Sequence, residues 1–325
     1  MALKDKVLEI LEDNRGRSVS GNKIAVSLGM TRSAVWKAVK QLREEGYTIN
    51  AVTNRGYCLT SDNDILNEPS VISFLETKEL GRKMDIFKSI DSTNNFAKSL
   101  AQLGAVNGHT IIAEQQTAGK GRMGKKFYAP NNQGIYLSVI VRPQLSVEYA
   151  LMITSCAAVA VAEAIEKVSG LRCGIKWVND LYYQGRKVCG ILTEAGTDLE
   201  SGQLEWLVVG IGLNLTATAE DFPPELAAKA GSLYPGGPAP VSRAALAGAI
   251  GRELLALCPG FACLDEYRAR CFVPGHWVTV CTGTETYAAQ ALSIDDVGRL
   301  VVQREGGRTE ALRCGEVTIR PTKTE

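Results

Sequence analysis

The 325-residue chain is long enough for two or three domains, and with 45% apolar and 22% charged residues it has the balance of a globular protein with a sizeable core. Its net charge of +1 announces no global basic field, and the apolar uncharged run Tyr149 to Ala162 falls short of the ~20 residues that span a bilayer. Nine cysteines without a CxxC pair, and only two histidines (His109 and His276), supply a zinc site poorly and give no metal ligands to name.

Cys156 and Cys189, flanked by apolar residues, are expected to be small buried hydrophobes in a reducing cytosol. The start of the chain, MALKDKVLEI, is amphipathic and carries acid from the outset. It does not read as a signal peptide, so a cytoplasmic protein without a membrane segment is expected.

Residues 1–60 hold ten Lys/Arg against six Asp/Glu, a local net of +4 (10 − 6). Leu3, Val7, Leu8, Ile10 and Leu11 recur at helical spacing and stop before Asn14-Arg15-Gly16. Ser20 can cap a second helix with Ile24, Ala25 and Leu28 inward; Gly29 makes a tight turn, and Thr31 caps a third helix running to about Glu45. That helix is expected to bury Ala34, Val35, Ala38, Val39 and Leu42 and to show Arg32, Ser33, Trp36, Lys37 and Lys40 on its other face. Tyr-Thr-Ile-Asn-Ala-Val, the turn Asn54-Arg55-Gly56 and Tyr-Cys-Leu then read as a hairpin wing.

Helix, helix, turn, cationic helix and wing is the order of a winged helix-turn-helix, which places Gly21–Lys40 against DNA. The competing reading is a protein-interaction module with a solvated basic face. One small domain makes few base contacts, so a dimer on a palindromic site is expected. Asp62-Asn63-Asp64 and Glu68-Pro69 read as a polar linker that closes a domain over residues 1–62.

From residue 70 the pattern turns β-rich. Strands are expected at Ile86–Ser89, Thr110–Glu114, Ile135–Val141, Gly174–Val178, Val188–Glu194 and Trp206–Gly210, and helices at Asn94–Leu103, Val147–Val168 and Arg243–Leu257. These do not alternate strictly, which predicts a mixed sheet with helices, an α+β class, over 69–270. Short strands at His276–Cys281, Thr286–Ser293, Leu300–Gln303 and Ala311–Cys314, with glycine turns between, predict a small β domain over 271–325.

Four segments of the central domain look chemical. Asp91-Ser92-Thr93-Asn94 leaves a strand and opens a helix, where Ser92 and Thr93 also suit plain capping. Gly119-Lys120-Gly121-Arg122-Met123-Gly124 contains GxGxxG, but neither a helical pattern nor a ribose-binding acid follows, so a dinucleotide fold is rejected. Its backbone N–H groups and four cations within residues 120–126 suit a phosphate or carboxylate, against the reading of a solvated basic turn. Lys176-Trp177-Val178-Asn179-Asp180-Leu181 passes from strand to polar turn, and Lys187 heads an otherwise apolar strand. Gly210-Ile211-Gly212-Leu213-Asn214 is read as a glycine-loosened turn closing the last strand.

In this order and spacing DSTN, GKGRMG, KWVNDL, GRKVCGIL and GIGLN resemble successive motifs of the biotin–protein ligase family, and the winged helix stands where its bifunctional members carry one. The resemblance covers essentially the whole chain. It implies a catalytic domain related to class II aminoacyl-tRNA synthetases, an SH3-like C-terminal barrel, and activation of biotin by ATP and Mg2+ to biotinoyl-5′-AMP. Transfer to a lysine of the biotin carboxyl carrier domain of acetyl-CoA carboxylase would follow. It also implies biotin-responsive repression at operator DNA by an adenylate-bound homodimer.

Carried over from the family, Ser92, Thr93, Asn94 and Gln116 would contact biotin. Lys120, Gly121 and Arg122 would close over biotin and the adenylate phosphate, and Asn179 and Asn214 would hold the adenylate. Lys187 would hold the carboxylate and acyl phosphate, and Asp180 would orient the acceptor amine, making Lys187, Asp180 and Arg122 the catalytic set. The family pattern usually has arginine at positions 120 and 123, tryptophan at 127 and proline at 178, where this chain has Lys120, Met123, Phe127 and Val178. A non-enzymatic biotin-sensing regulator is disfavoured by the presence of both Lys187 and Asp180. A lipoate or octanoyl transferase is disfavoured by the N-terminal module and the GKGRMG loop.

Overall fold

Apolar residues at helical spacing, the second and third runs opened by a hydroxyl cap, build the N-terminal elements. The computed structural model describes residues 2–52, 55–60, 63–75, 83–143, 145–146, 149–197, 202–257, 263–283 and 285–320. Asn54 of the expected wing turn, Asp62 of the expected linker and Val147 at an expected helix start lie outside them. Two compact units result: Met1–Lys78 with Pro240–Ala249, and Glu79–Ala239 with Ile250–Glu325.

In the first unit α1 (Leu3–Glu12) buries Val7, Leu8 and Leu11. The Ser20 side chain accepts the Lys23 N–H (3.0 Å) to start α2 (Gly21–Leu28), which ends on Gly29 at φ 64°, a left-handed conformation that costs glycine little. Thr31 accepts the Ala34 N–H (3.2 Å) and starts α3 (Arg32–Glu44). Val35, Ala38, Val39 and Leu42 of α3 are buried, each large aliphatic among them stabilising the fold by about 1.5–3 kcal/mol, whereas Ala34 is only half-buried. The wing is the antiparallel pair β1 (Ile49–Val52) and β2 (Gly56–Leu59), with Ile49 opposite Leu59.

Glu68-Pro69, expected as linker, instead opens α4 (Glu68–Leu75). The Asn67 side-chain oxygen Oδ1 accepts the Ser70 N–H (2.8 Å), Val71 and Leu75 are buried, and a proline is tolerated in a first turn whose N–H groups have no intrahelical partner. In the same unit Asp64 takes the Arg243 backbone N–H (2.7 Å) and guanidinium (2.8 Å).

The second unit is built on a seven-stranded sheet. In chain order its strands and the helices around them are β3 (Met84–Phe87), α5 (Thr93–Gln102), β4 (Thr110–Ala113), β5 (Gly134–Val141), α6 (Ala150–Ser169), β6 (Gly174–Lys176), β7 (Asp180–Tyr183), β8 (Arg186–Thr197) and β9 (Leu204–Asn214). The sheet order is β3-β4-β5-β9-β8-β7-β6, and only β3–β4 is parallel, so the sheet is mixed as expected. Ala97 and Ala101 of α5 pack on Ile111, Ile140, Trp206 and Val208. Small residues on the helix let it lie close to the sheet. α6 is buried nearly all round. Among the described residues no helix is long and apolar enough to cross a membrane.

α7 (Pro224–Ala227), α8 (Arg243–Leu257) and α9 (Leu264–Arg270) follow, and α8 has the expected limits. β10 (Trp277–Cys281), β11 (Thr286–Ile294), β12 (Leu300–Arg304), β13 (Thr309–Leu312) and β14 (Glu316–Ile319) form an antiparallel sheet in the order β13-β12-β11-β10-β14. The strand expected at Ala311–Cys314 is thus displaced to Thr309–Leu312, and a further strand follows it.

Three expectations are corrected. Gly210 to Asn214 is no turn but the end of β9, because its glycines admit neighbouring side chains rather than loosen the backbone. The polar turn covers only 177–179, and Asp180 already belongs to a strand paired on both sides. Cys156 is not a free thiol: it is bonded to Cys263, Cα to Cα 5.3 Å, where α6 packs against α9, a pairing across 107 residues that spacing does not disclose. Cys189 keeps its expected place, free and buried, its thiol pushed up by burial.

Candidate functional site

Strand register lays out the floor of a cleft. Tyr136, Gly212, Gly190, Asp180 and Lys176 are successive direct partners across β5, β9, β8, β7 and β6, so they share one face. The next row on that face is Ser138, Gly210 and Leu192. A Cβ on Gly212 would stand 2.5 Å from the Phe127 ring, and one on Gly210 would stand 1.9 Å from Asn94 Oδ1. The glycines therefore make the groove, and α5 and the 119–127 loop fill its sides. The remaining hollow is about 450 Å³.

One end is polar and uncharged in its innermost contacts. Ser92 caps α5 by accepting the Asn95 N–H (3.5 Å) and also lines the cleft, so both readings of that residue hold. Gln116 Oε1 accepts from the Thr93 backbone N–H (2.8 Å) and hydroxyl (3.1 Å). The Ser138 hydroxyl reaches Asn94 Oδ1 (2.6 Å) and Thr93 Oγ1 (2.8 Å). Asn94 Nδ2 donates to Glu194 (2.9 Å) and to the Leu192 carbonyl (3.3 Å), and Lys98 pairs with the same carboxylate at 2.7 Å. Burial pushes the Glu194 carboxyl up, but the Lys98 and Asn94 donors outweigh it and hold it below the ordinary range.

The other end is charged. The loop closes as a narrow turn, with the Gly121 N–H donating to Lys125 O (2.7 Å) and the Phe127 N–H to Gly119 O (2.9 Å). Arg122 donates to Asn179 Oδ1 (3.0 Å) and Gly315 O (3.3 Å), and Lys125 pairs with Glu316. The loop is thereby tied to the stretch entering β14. Lys187 Nζ lies 2.6 Å from Asp180 Oδ1. The turn before Asp180 is fixed from two sides, by Trp177 Nε1 donating to Gly298 O (3.1 Å) and Tyr267 donating to Val178 O (3.0 Å). The Trp177–Val178 peptide is cis.

The fold thus gathers Ser92, Thr93, Asn94, Gln116, Lys120, Gly121, Arg122, Asn179, Asp180 and Lys187 around one cleft. Asn214 stands outside this lining: it is buried, and its amide donates to Gly231 O (3.0 Å). Sequence reasoning missed Ser138, Lys176, Glu194 and Lys229. Ser138 carried a signal, as the one small polar residue inside the apolar strand Ile-Tyr-Leu-Ser-Val-Ile-Val. Lys176 stood inside a motif already singled out. Lys229, from the chain after α7, gave none.

In the N-terminal unit Arg32, Ser33, Trp36, Lys37 and Lys40 are all exposed on α3, with Trp36 54% exposed. Lys40 lies 6.0 Å over the Trp36 ring and 3.8 Å from Glu44. Arg32 and Lys37 form no ion pair among the described residues, which leaves their charge to an outside anion. Arg17, Lys23 and Arg55 rim a second hollow between α2 and the wing.

Two family models match the chain: the biotin/lipoate A/B protein ligase family over residues 86–214, and an HTH domain over residues 4–58. The bifunctional ligase/repressor BirA of Bacillus spizizenii is 33% identical over 94% of this chain and 95% of its own length. That of Bacillus subtilis is 32% identical over the same shares. The biotin--[acetyl-CoA-carboxylase] ligase of Mycobacterium tuberculosis is 32% identical over 79% of this chain and 98% of its own length. Among solved structures, a biotin protein ligase from Aquifex aeolicus in complex with biotin and ATP is similar in fold, with a TM-score of 0.60 at 23% identity over 74% of this chain and all of that one.

Proposed function

The chain belongs to the biotin/lipoate A/B protein ligase family, among its bifunctional ligase/repressors, and on that premise we propose that its cleft activates biotin with ATP and passes it to a carrier lysine, while its winged helix represses biotin genes. The observation that carries the catalytic half is the division of one cleft into a hydroxyl- and amide-lined end and a cationic end.

The polar end suits a ureido group, which wants paired donors and acceptors from Thr93, Gln116 and their neighbours. The biotin carboxylate then reaches Lys187. Its oxygen attacks the α-phosphorus of ATP, the bond to pyrophosphate breaks, and Lys187, Arg122 and Lys120 offset the negative charge that builds up. A mixed anhydride hydrolyses when wet, so closure by the 119–127 loop protects it. In the second step an acceptor lysine amine attacks the acyl carbon, AMP departs with the bonding pair, and Asp180 orients the amine and takes its proton.

Magnesium would enter with ATP as the counter-ion of its phosphates and would help offset their charge. The acceptor is the biotin carboxyl carrier domain of acetyl-CoA carboxylase, the DNA is a two-half-site operator bound by an adenylate-loaded homodimer, and both are met in the cytoplasm.

Biotin-dependent exchange of pyrophosphate into ATP tests the activation step. Lys187→Ala removes a charge-assisted contact of about 1.5–3 kcal/mol and should slow exchange roughly 10- to 150-fold. Exchange at the unmodified rate would take Lys187 out of the mechanism.

A further inference from the structure

Asp180 has two lysines near it, and only one has a role so far. Lys187 is its ion-pair partner at 2.6 Å. On the reading above, Lys187 must also serve the ligand's carboxylate and phosphate, whose negative charge competes with Asp180 for its ammonium. Asp180 would then stand half-buried with its partner drawn toward the ligand when the acceptor amine arrives, a costly arrangement for a carboxylate.

Lys176 is placed to fill that gap. It is the direct cross-strand partner of Asp180 in the β6–β7 pair. Opposite residues of an antiparallel pair carry Cβ atoms about 4.5–5.5 Å apart on the same face. Lys176 lines the cleft, its ammonium 5.8 Å over the Tyr182 ring. Charged neighbours come from every side: Asp180 from β7, Lys187 from β8, Lys229 after α7 and Glu316 from β14. Tyr182, Cys189 and Tyr267 also feel the Asp180 charge, and burial pushes each of them up, which favours the neutral form. Burial also draws the Lys176 ammonium below the ordinary lysine value, against the pull of Asp180. Among the described residues Lys176 makes no ion pair of its own, so its charge is not committed elsewhere.

We propose that Lys176 is a positioning residue of the acyl-transfer half-reaction, holding the Asp180 carboxylate toward the acceptor amine once the acyl phosphate has drawn Lys187 away. Lys187 and Lys176 thereby divide the work, one serving the ligand anion and the other the carboxylate that receives the nucleophile. The inference rests on the ligase reading and adds a residue to its second step.

The test separates the two half-reactions in full-length protein, comparing Lys176→Met and Lys176→Arg. Activation is read as biotin-dependent pyrophosphate exchange, and transfer as single-turnover delivery from preformed biotinoyl-AMP to the carrier domain. Lys176→Met should slow transfer by about tenfold or more while exchange stays within about threefold, the range expected when one charge is removed next to another in a half-buried site. Lys176→Arg, which keeps the charge, should restore most of the transfer rate. Equal loss of both half-reactions without rescue by arginine marks a structural lysine and overturns the proposal. So does a raised KM for MgATP with transfer intact, which would assign Lys176 to the polyphosphate. No exchange by the unmodified protein would overturn the ligase reading beneath it, a separate and recognisable result.

Discussion

Both amide protons of Asn94 are committed within the protein, to Leu192 O and Glu194, and its oxygen receives the Ser138 hydroxyl. Asn94 therefore shapes the polar end of the cleft with its orientation fixed by a carboxylate one layer behind. Glu194→Gln would replace that acceptor by an amide, and biotin affinity should fall about tenfold, read by calorimetry; an unchanged Kd would detach Glu194 from the site. The pH dependence has a definite sign. The Glu194 carboxyl is depressed from 4.5 in the folded protein, so its contribution to stability is present above that value and is lost as pH falls through the folded one. The stability gap between unmodified protein and Glu194→Gln should shrink on acidification below 4.5 and be flat above it.

At this scale the sequence disclosed residues whose chemistry is unusual for their setting, such as Lys187 in an apolar strand. It did not disclose Glu194, which stood at the end of an expected strand with nothing in the sequence to mark its partners, or the partnership of Lys176 with Asp180. That partnership depends on a register that exists only once β6 and β7 have paired.

The element that most shapes the cleft is β9. Its glycines read as a turn because glycine disfavours strands unless something approaches closely, and the approaching groups, Asn94 and Phe127, come from 116 and 85 residues earlier in the chain (210 − 94 and 212 − 127). Gly210→Ala should displace Asn94, cost about 1–3 kcal/mol of stability and abolish tight biotin binding. Gly237→Ala, whose added methyl meets nothing within 4 Å, is the control. Thermal unfolding with and without biotin reads both, and a Gly210→Ala protein with the usual ligand-induced stabilisation would contradict this picture of the floor.

The helices α1 to α3, marked by apolar spacing and turn residues, were legible in the sequence, as was α8 to its limits. Short ones, such as the four-residue β7, β14 and α7, were not, because their pairing or packing rather than their own pattern defines them. The Cys156–Cys263 bond was invisible for the same reason, since α6 and α9 meet only in the folded unit.

Across the whole molecule, two activities share one chain through a ligand. The adenylate would bridge Lys187 and the loop cations and rigidify residues 119–127. On the proposed reading, a dimer surface that includes this loop would then form without a second ordering cost. Biotin plus ATP should therefore shift the protein toward dimer in sedimentation and tighten operator binding in a mobility-shift titration. Arg32→Ala or Lys37→Ala, on the exposed face of α3, should weaken DNA binding and leave ligation unchanged. A protein that stays monomeric with ligand and ignores its own biotin-gene promoter would end the repressor reading and leave the catalytic one standing.

The central claim is that the cleft transfers biotin to protein. Full-length protein incubated with biotin, MgATP and the biotin carboxyl carrier domain, then probed by streptavidin blot, tests it most directly. The account predicts a labelled carrier whose signal disappears when biotin or ATP is left out, or when the acceptor lysine is changed to arginine. A carrier that stays unlabelled with the complete mixture, from protein that is folded, would contradict it.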